Sequence, residues 1–235
     1  VDFSALAETQ TTNYVSVRAW DVAGSTAVFD DVFYVQKDVS LPFITDSQSG
    51  DDSWHSSSGT LYAVAFGDAG GSLLNNAEYK ITTGAGQGGT LVLDWTALAS
   101  GIGAASYPGP WALPQSAWNS LPAGLSYVSV RVSDYAGNSQ SQSDVFYVKK
   151  DTQAPSITDL QSGDSAWRKD GSAVYDVDFA DAGGALLQKV QVKITTGPSQ
   201  TGTLITDWTD NITAINASSY SADWPLAAGL FDLLQ

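Results

Sequence analysis

Leu61-Tyr-Ala-Val-Ala-Phe66 and Val174-Tyr-Asp-Val-Asp-Phe179 are one segment written twice, 113 residues apart. Side chains alternate across a β-strand, so Tyr, Val and Phe share one face of each copy and the intervening residues share the other. The second copy puts Asp176 and Asp178 at those intervening positions, where carboxylates need water. Tyr62, Val64 and Phe66, with Tyr175, Val177 and Phe179, are therefore expected to face a core.

Working outward, the same shift relates most of the chain. Tyr14-Val-Ser-Val-Arg18 returns as Tyr127-Val-Ser-Val-Arg131, and Val32-Phe-Tyr-Val-Gln-Lys-Asp38 returns as Val145-Phe-Tyr-Val-Lys-Lys-Asp151. Ile44-Thr-Asp46 matches Ile157-Thr-Asp159, Asp68-Ala-Gly-Gly71 matches Asp181-Ala-Gly-Gly184, and Lys80-Ile-Thr-Thr-Gly84 matches Lys193-Ile-Thr-Thr-Gly197. Asp94-Trp95, Tyr107, Trp111 and Trp118 recur as Asp207-Trp208, Tyr220, Trp224 and Phe231. A fixed period of this kind marks a repeated structural unit.

The phase of the repeat divides the chain. Residues 1–38 match the end of a module, 39–151 form one complete module, and 152–235 match a module without its last two strands. Phe3-Ser-Ala-Leu6 is also similar to Phe231-Asp-Leu-Leu234. An open core with unpaired strand edges is avoided in natural sheets, so residues 1–38 of one copy are expected to complete 152–235 of another, or the chain to be a window on a longer array. The absence of Met and the start at Val1 fit a processed product or a piece of a longer protein.

Within 39–151, short runs rich in Val, Ile, Tyr and Phe between Gly, Asn, Asp and Ser clusters predict strands near 42–46, 61–66, 77–82, 90–95, 102–107, 125–133 and 143–149. Seven strands in about 110 residues predict an all-β fold of tandem immunoglobulin-like β-sandwich modules, each about 113 residues long. By alternation, Val128, Val130 and Val132 point inward and Ser129 and Arg131 outward. Ala77, Tyr79 and Ile81, with Val190, Val192 and Ile194, point inward too. Asp134-Tyr-Ala-Gly137-Asn138, and its copy Asp21-Val-Ala-Gly24-Ser25, predict hairpin turns in which Gly takes positive φ and Asp accepts turn amides.

Composition narrows the function. Ten Lys and Arg against 25 Asp and Glu give a formal net charge of −15, which repels phosphate backbones and argues against nucleic acid as a partner. No apolar run is long enough for membrane insertion as a helix. There is no Cys, hence no disulfide framework and no thiol chemistry. Such acidity either keeps the chain soluble in salt or is neutralised by divalent cations.

Tyr-x-x-Val-x-Val-x-Asp-x-Ala-Gly-Asn, then a strand, then Lys149-Lys-Asp-Thr-Gln-Ala-Pro155, resembles the end of one bacterial Ig-like repeat and the start of the next. The likeness covers nearly the whole chain and implies a module of a large secreted or cell-surface, adhesin-like protein. It implies an extracellular rod or filament of modules joined head to tail with other copies or neighbouring modules. It also implies calcium at the junctions, with Asp134 beside Asp151 and Asp21 beside Asp38, completed by Asp46 and Asp159. A hard cation wants six to eight oxygens, which clustered Asp and carbonyl groups supply; otherwise each Asp caps its own turn.

Nothing points to an enzyme. The single His55 is replaced by Arg168 in the second copy, and catalysis normally needs His, Cys or a tuned carboxylate pair. Gly84-Ala-Gly-Gln-Gly-Gly89 lies between strands and opens no helix, so it reads as a hairpin loop and not a phosphate cradle. The alternative function is a carbohydrate-binding accessory module of a secreted polysaccharide-active protein. In it Trp54, Trp111, Trp167 and Trp224 would stack on surface glycans; their other reading is core packing.

Overall fold

The computed structural model describes residues 2–8, 11–48, 51–161 and 165–234. The chain divides into two units, Val1–Lys150 and Asp151–Gln235, and both are all-β.

The first unit begins with a hairpin of β1 (Thr12–Trp20) and β2 (Thr26–Gln36), which forms a two-stranded sheet of its own. Its turn is the predicted one: the Ser25 amide donates to Asp21 Oδ1 at 2.8 Å and Gly24 has φ 89°. A short 3-10 turn, Phe3–Ala5, precedes it. Lys37 Nζ donates to the Ser4 and Leu6 carbonyls, both at 3.2 Å.

After the hairpin come β3 (Phe43–Asp46), β4 (Trp54–His55), β5 (Leu61–Tyr62), β6 (Val64–Gly67), β7 (Leu74–Gly84), β8 (Gly88–Ala104), β9 (Ser106–Tyr107) and β10 (Trp111–Ala112). Helix α1 (Gln115–Ser120) leads into β11 (Gly124–Asp134) and β12 (Ser139–Lys150). One sheet has the order β4-β12-β11-β7-β8 and another β3-β6-β9, with β5 and β10 paired beside them. Tyr62, Val64 and Phe66 from the smaller sheets share one apolar cluster with Ala77, Tyr79, Ile81, Val128, Val130, Val132, Phe146 and Val148 from the larger. The alternation read from Leu61–Phe66 thus finds its core: Val64 is 0% and Tyr62 and Phe66 are 2% exposed.

Several expectations need correction. Ser129 was expected to face water and is 1% exposed. The register of β11 against β12 shifts between Val128 and Val130, at a β-bulge. There Ser129 Oγ accepts the amide of Asp144, which has φ 54°. A bulge adds a residue to one strand and breaks the strict alternation. The strands expected at 90–95 and 102–107 are mostly one long β8, because Gly101 and Gly103, both at φ 61°, bend the strand without ending it. The chain changes sheets only at β9.

Helix α1 was not expected. It buries Ala117 and Trp118, and Lys150 Nζ closes its end by donating to the carbonyls of Trp118 at 2.9 Å and Leu121 at 2.8 Å. Lys150 also lies 5.3 Å from the Trp118 ring centroid, as Lys37 lies 5.4 Å from that of Phe3.

The second unit contains β13 (Ser156–Asp159), β14 (Val174–Tyr175), β15 (Val177–Ala180), β16 (Val190–Thr195), β17 (Leu204–Ile212), β18 (Ser219–Tyr220), β19 (Trp224–Pro225) and α2 (Ala228–Phe231). Its sheets are β13-β15-β18, β14-β19 and β16-β17. Phe179, Leu187, Val190 and Trp224 make a small core. Asp176 and Asp178, expected to face water, are half-buried. Partial desolvation, with the charges of Asp223 and Asp178, raises the Asp176 carboxyl above its ordinary value.

Specific bonds recur at the 113-residue shift. The Trp111 indole N–H donates to the Val64 carbonyl at 3.0 Å, and Trp224 donates to Val177 at 3.1 Å. Lys80 pairs with Asp94 at 3.2 Å, and Lys193 with Asp207 at 3.1 Å.

Candidate metal centre

Three loops of the first unit converge on one point. Asp38 follows β2, Asp68 follows β6, and Asp134 closes β11. One carboxylate oxygen from each lies within 4.8 Å of the others. Asp68 and Asp134 are 6% and 2% exposed, and Asp38 is half-buried.

Each carboxylate is held by main-chain donors. Asp68 accepts the amides of Gly70 at 3.1 Å and Leu73 at 3.0 Å, which folds Asp68-Ala-Gly-Gly71 around it. Asp38 accepts the Ser40 amide at 3.0 Å and the Ser72 amide at 2.8 Å, so the start of the module is tied to the same loop. Asp134 accepts the amide and the side-chain Nδ2 of Asn138, both at 2.8 Å. Asn138 Nδ2 also reaches the Asp38 carbonyl at 3.3 Å, joining the last turn to the residue just before the module. Gly70 completes the cradle: a Cβ there would collide with the Asp38 carboxylate.

The electrostatics leave a surplus of negative charge. Burial pushes the Asp38 carboxyl up, but hydrogen bonding by Ser72 and Ser40 outweighs it and holds the group below the usual carboxylate range. Lys37, the residue before Asp38, is turned to Glu8 at 3.6 Å. None of the three carboxylates forms an ion pair with Lys or Arg among the described residues. At an effective dielectric of about 20, like charges at this separation repel by roughly 3–4 kcal/mol per pair. An all-oxygen, anionic, glycine-lined pocket fits a hard divalent cation.

The placement of the six expected ligands differs from the expected pairing. Asp38 lies with Asp134, not with Asp21. Asp21 sits at the turn of its hairpin and Asp38 beyond the open end, where Thr12 pairs with Gln36; about 25 Å of strand separates those ends. Asp46 and Asp159 are exposed and cap their own turns, accepting the amides of Gln48 at 3.0 Å and Gln161 at 2.9 Å. Asp151 repeats the arrangement of Asp38: it accepts the amides of Gln153 and Ala185, both at 2.9 Å. Its companion is Asp181, which accepts the Leu186 amide at 3.0 Å, and a Cβ on Gly183 would strike the Asp151 carboxylate.

Asp68 and Asp181 were missed as ligand candidates. Asp-Ala-Gly-Gly reads as an ordinary turn, and the signal that could have singled it out is the pairing of an Asp at 113-residue recurrence with the Gly two residues on.

The four Trp residues separate into two kinds. Trp111 and Trp224 are 6% and 9% exposed, with their indole N–H groups bonded inside the units, so they are core and not glycan platforms. Trp54 is 37% and Trp167 101% exposed. His55 bridges Asp51 Oδ2 at 2.6 Å and Thr60 Oγ1 at 3.2 Å. Burial raises the Asp51 carboxyl, but hydrogen bonds from His55 and Ser53 hold it below its ordinary value.

No family model matches the chain, and no curated protein matches it. One solved structure, of a Ca2+-stabilized adhesin that helps an Antarctic bacterium reach out and bind ice, is similar over 92% of this chain and 48% of that one. The identity is 15% and the TM-score 0.27, a likeness too slight to bear on the fold. Among the described residues no helix is long and apolar enough to cross a membrane.

Proposed function

We propose that this chain is an extracellular structural or adhesive protein of end-to-end immunoglobulin-like β-sandwich modules, and that Asp38, Asp68 and Asp134 bind calcium. The observation that carries this reading is the convergence of three carboxylates from three loops within 4.8 Å, none of them in an ion pair with Lys or Arg among the described residues. Calcium bound there would cross-link the entry to the module, its Asp68 loop and its last hairpin, stiffening the chain where one module follows another. Its contribution is charge neutralisation and rigidity, with no reaction. The formal net charge of −15 fits an extracellular or cell-surface setting, and we read the chain as no enzyme.

Thermal unfolding with calcium and with a chelator tests this. The midpoint is expected to rise with calcium, and Asp68→Asn to abolish the rise. Identical midpoints in both conditions, with no calcium bound by calorimetry, would remove the metal from the account.

A further inference from the structure

We propose that the outward face of the five-stranded sheet β4-β12-β11-β7-β8 binds a neutral polysaccharide, with Trp54, Tyr147, Tyr127 and Trp95 as the rings on which its pyranose units stack. The proposal deepens the adhesive part of the reading above and rests on that part alone; calcium takes no part in it.

Strand register puts the four rings on one side, because partners across a ladder project from the same face of a sheet. Tyr147 pairs with Tyr127, and Tyr127 pairs with Thr82 of β7, which pairs with Leu91 of β8. Phe146, Val148 and Val128, next to the two Tyr residues in sequence, are buried in the core, so the Tyr rings point away from it. Lys149 shares their side by alternation, and its partner on β4 is Trp54. Arg131, opposite Glu78, lies 4.6 Å from the Trp95 ring centroid and Lys80 lies 5.8 Å from it, which brings Trp95 to the same face. All four rings stand outside the apolar cluster of the module. Trp54 is 37% exposed and the others are half-buried.

Recurrence is the second argument. Outward positions are free to drift, and several do at the 113-residue shift: Lys149 becomes Gln36, Glu78 becomes Gln191 and Ala97 becomes Asp210. The rings do not. Trp54 and Trp95 return as Trp167 and Trp208, and Tyr127 and Tyr147 as Tyr14 and Tyr34. The Tyr127 and Tyr147 centroids lie 6.2 Å apart at 59°, and those of Tyr14 and Tyr34 lie 6.3 Å apart at 55°. Core packing does not demand four aromatic side chains that point away from the core, whereas a ligand that stacks on them does.

Charge selects the ligand. Each cation of this face has a carboxylate beside it: Lys80 meets Asp94 at 3.2 Å, Arg131 meets Glu78 at 2.7 Å and Lys149 meets Asp52 at 2.9 Å. The face is therefore balanced within a chain of net charge −15, and a polyanion gains no field there to offset repulsion by the rest of the molecule. The ion pairs also divide the rings from one another, leaving no continuous dry centre of the kind a protein partner uses. A neutral polysaccharide fits both features. The apolar C–H faces of its pyranose rings stack on Trp and Tyr, and its hydroxyls donate to Asp94, Glu78 and Asp52 and accept from Lys80, Arg131 and Lys149. Tyr147, whose hydroxyl donates to Asp52 at 2.7 Å, is held in place by the same network.

Native affinity electrophoresis of the full chain in gels containing dextran, hydroxyethylcellulose or galactomannan tests this, with dextran sulfate as the charged counterpart of dextran. At least one neutral polymer is expected to retard the chain, equally with calcium and with chelator. Trp95→Ala, and Tyr127→Ala combined with Tyr147→Ala, should each weaken binding at least about tenfold, while Trp95→Phe, which keeps a ring, retains most of it. Circular dichroism and the thermal midpoint confirm that each variant is folded; Trp54→Ala, at the most exposed of the four rings, gives a second reading if Trp95→Ala unfolds. No retardation in any of the three neutral gels, retardation only in dextran sulfate, or retardation that the Ala variants keep or that chelator abolishes would overturn the proposal. The calcium reading fails or stands separately: stabilisation by calcium without retardation sinks only the sugar platform, and retardation without a calcium response sinks only the metal.

Discussion

Gly70 lies so close to Asp38 that a Cβ on it would overlap the carboxylate. The relationship returns between Gly183 and Asp151. Gly70→Ala should displace the Asp38 side chain and lower calcium affinity about tenfold or more, while the core, formed elsewhere, stays intact. Calcium titration followed by calorimetry, beside the far-ultraviolet spectrum, checks both halves of that expectation.

Calcium in hundredfold excess over its dissociation constant should stabilise the first unit by about 2.7 kcal/mol. For about 150 residues this corresponds to a midpoint shift of roughly 5–10 °C. Asp134→Asn should remove most of the shift, and Asp46→Asn, at a turn cap outside the cluster, should leave it in place. Scanning calorimetry with and without chelator reads the difference.

Lys150 closes α1 with two charge-assisted bonds in a buried setting. Lys150→Met keeps the apolar stem but strands the Trp118 and Leu121 carbonyls, and should cost about 2–3 kcal/mol. Urea unfolding of the variant measures it. A change below about 0.5 kcal/mol would mean that the carbonyls find water instead.

Trp111→Phe retains an aromatic ring and removes the N–H that satisfies the Val64 carbonyl. The expected loss is about 1–3 kcal/mol, with an added cavity contribution. If Trp111 were itself a glycan platform, the same substitution would change sugar binding and leave stability untouched.

Acid should destabilise the fold independently of calcium. The Trp95 amide, with Lys80, holds Asp94 below its ordinary value, and the Trp208 amide, with Lys193, does so for Asp207; Asp38 is lowered as described. As pH falls below about 4, the unfolded chain takes up protons that these folded carboxylates still refuse. Their stabilisation is therefore present above the carboxylate range and lost as pH descends through the lowered values. Denaturation midpoints measured in chelator from pH 6 to pH 3 should decline only at the acid end.

Much of this architecture could be read before any coordinates. Tyr62, Val64 and Phe66 were legible because a second copy marks the wet positions with Asp, which a single strand does not do. The turns at Asp21 and Asp134 were legible because Asp, Gly and Asn act through their own short-range bonds. Ser129 was not, since a bulge depends on the partner strand, and Asp144 across the ladder takes up the extra residue. The continuity of β8 was hidden because Gly101 and Gly103 look like a break. Asp38 was chosen as a ligand on a family resemblance that set it beside Asp21, whereas the fold sets Asp68 and Asp134 beside it. The turn that reaches it comes from Asp134, nearly a hundred residues on. Asp68 carries its whole role in tertiary contact and leaves only a turn motif behind.

Strand β4 pairs with β12 in parallel, Trp54 opposite Lys149 and His55 opposite Lys150, so an early strand of the complete module lies alongside its last. When tension is applied along the polypeptide, such a pair slides, and its hydrogen bonds bear the load together instead of peeling open one at a time. Pulled by its ends, a module wired in this way loads that pair in shear.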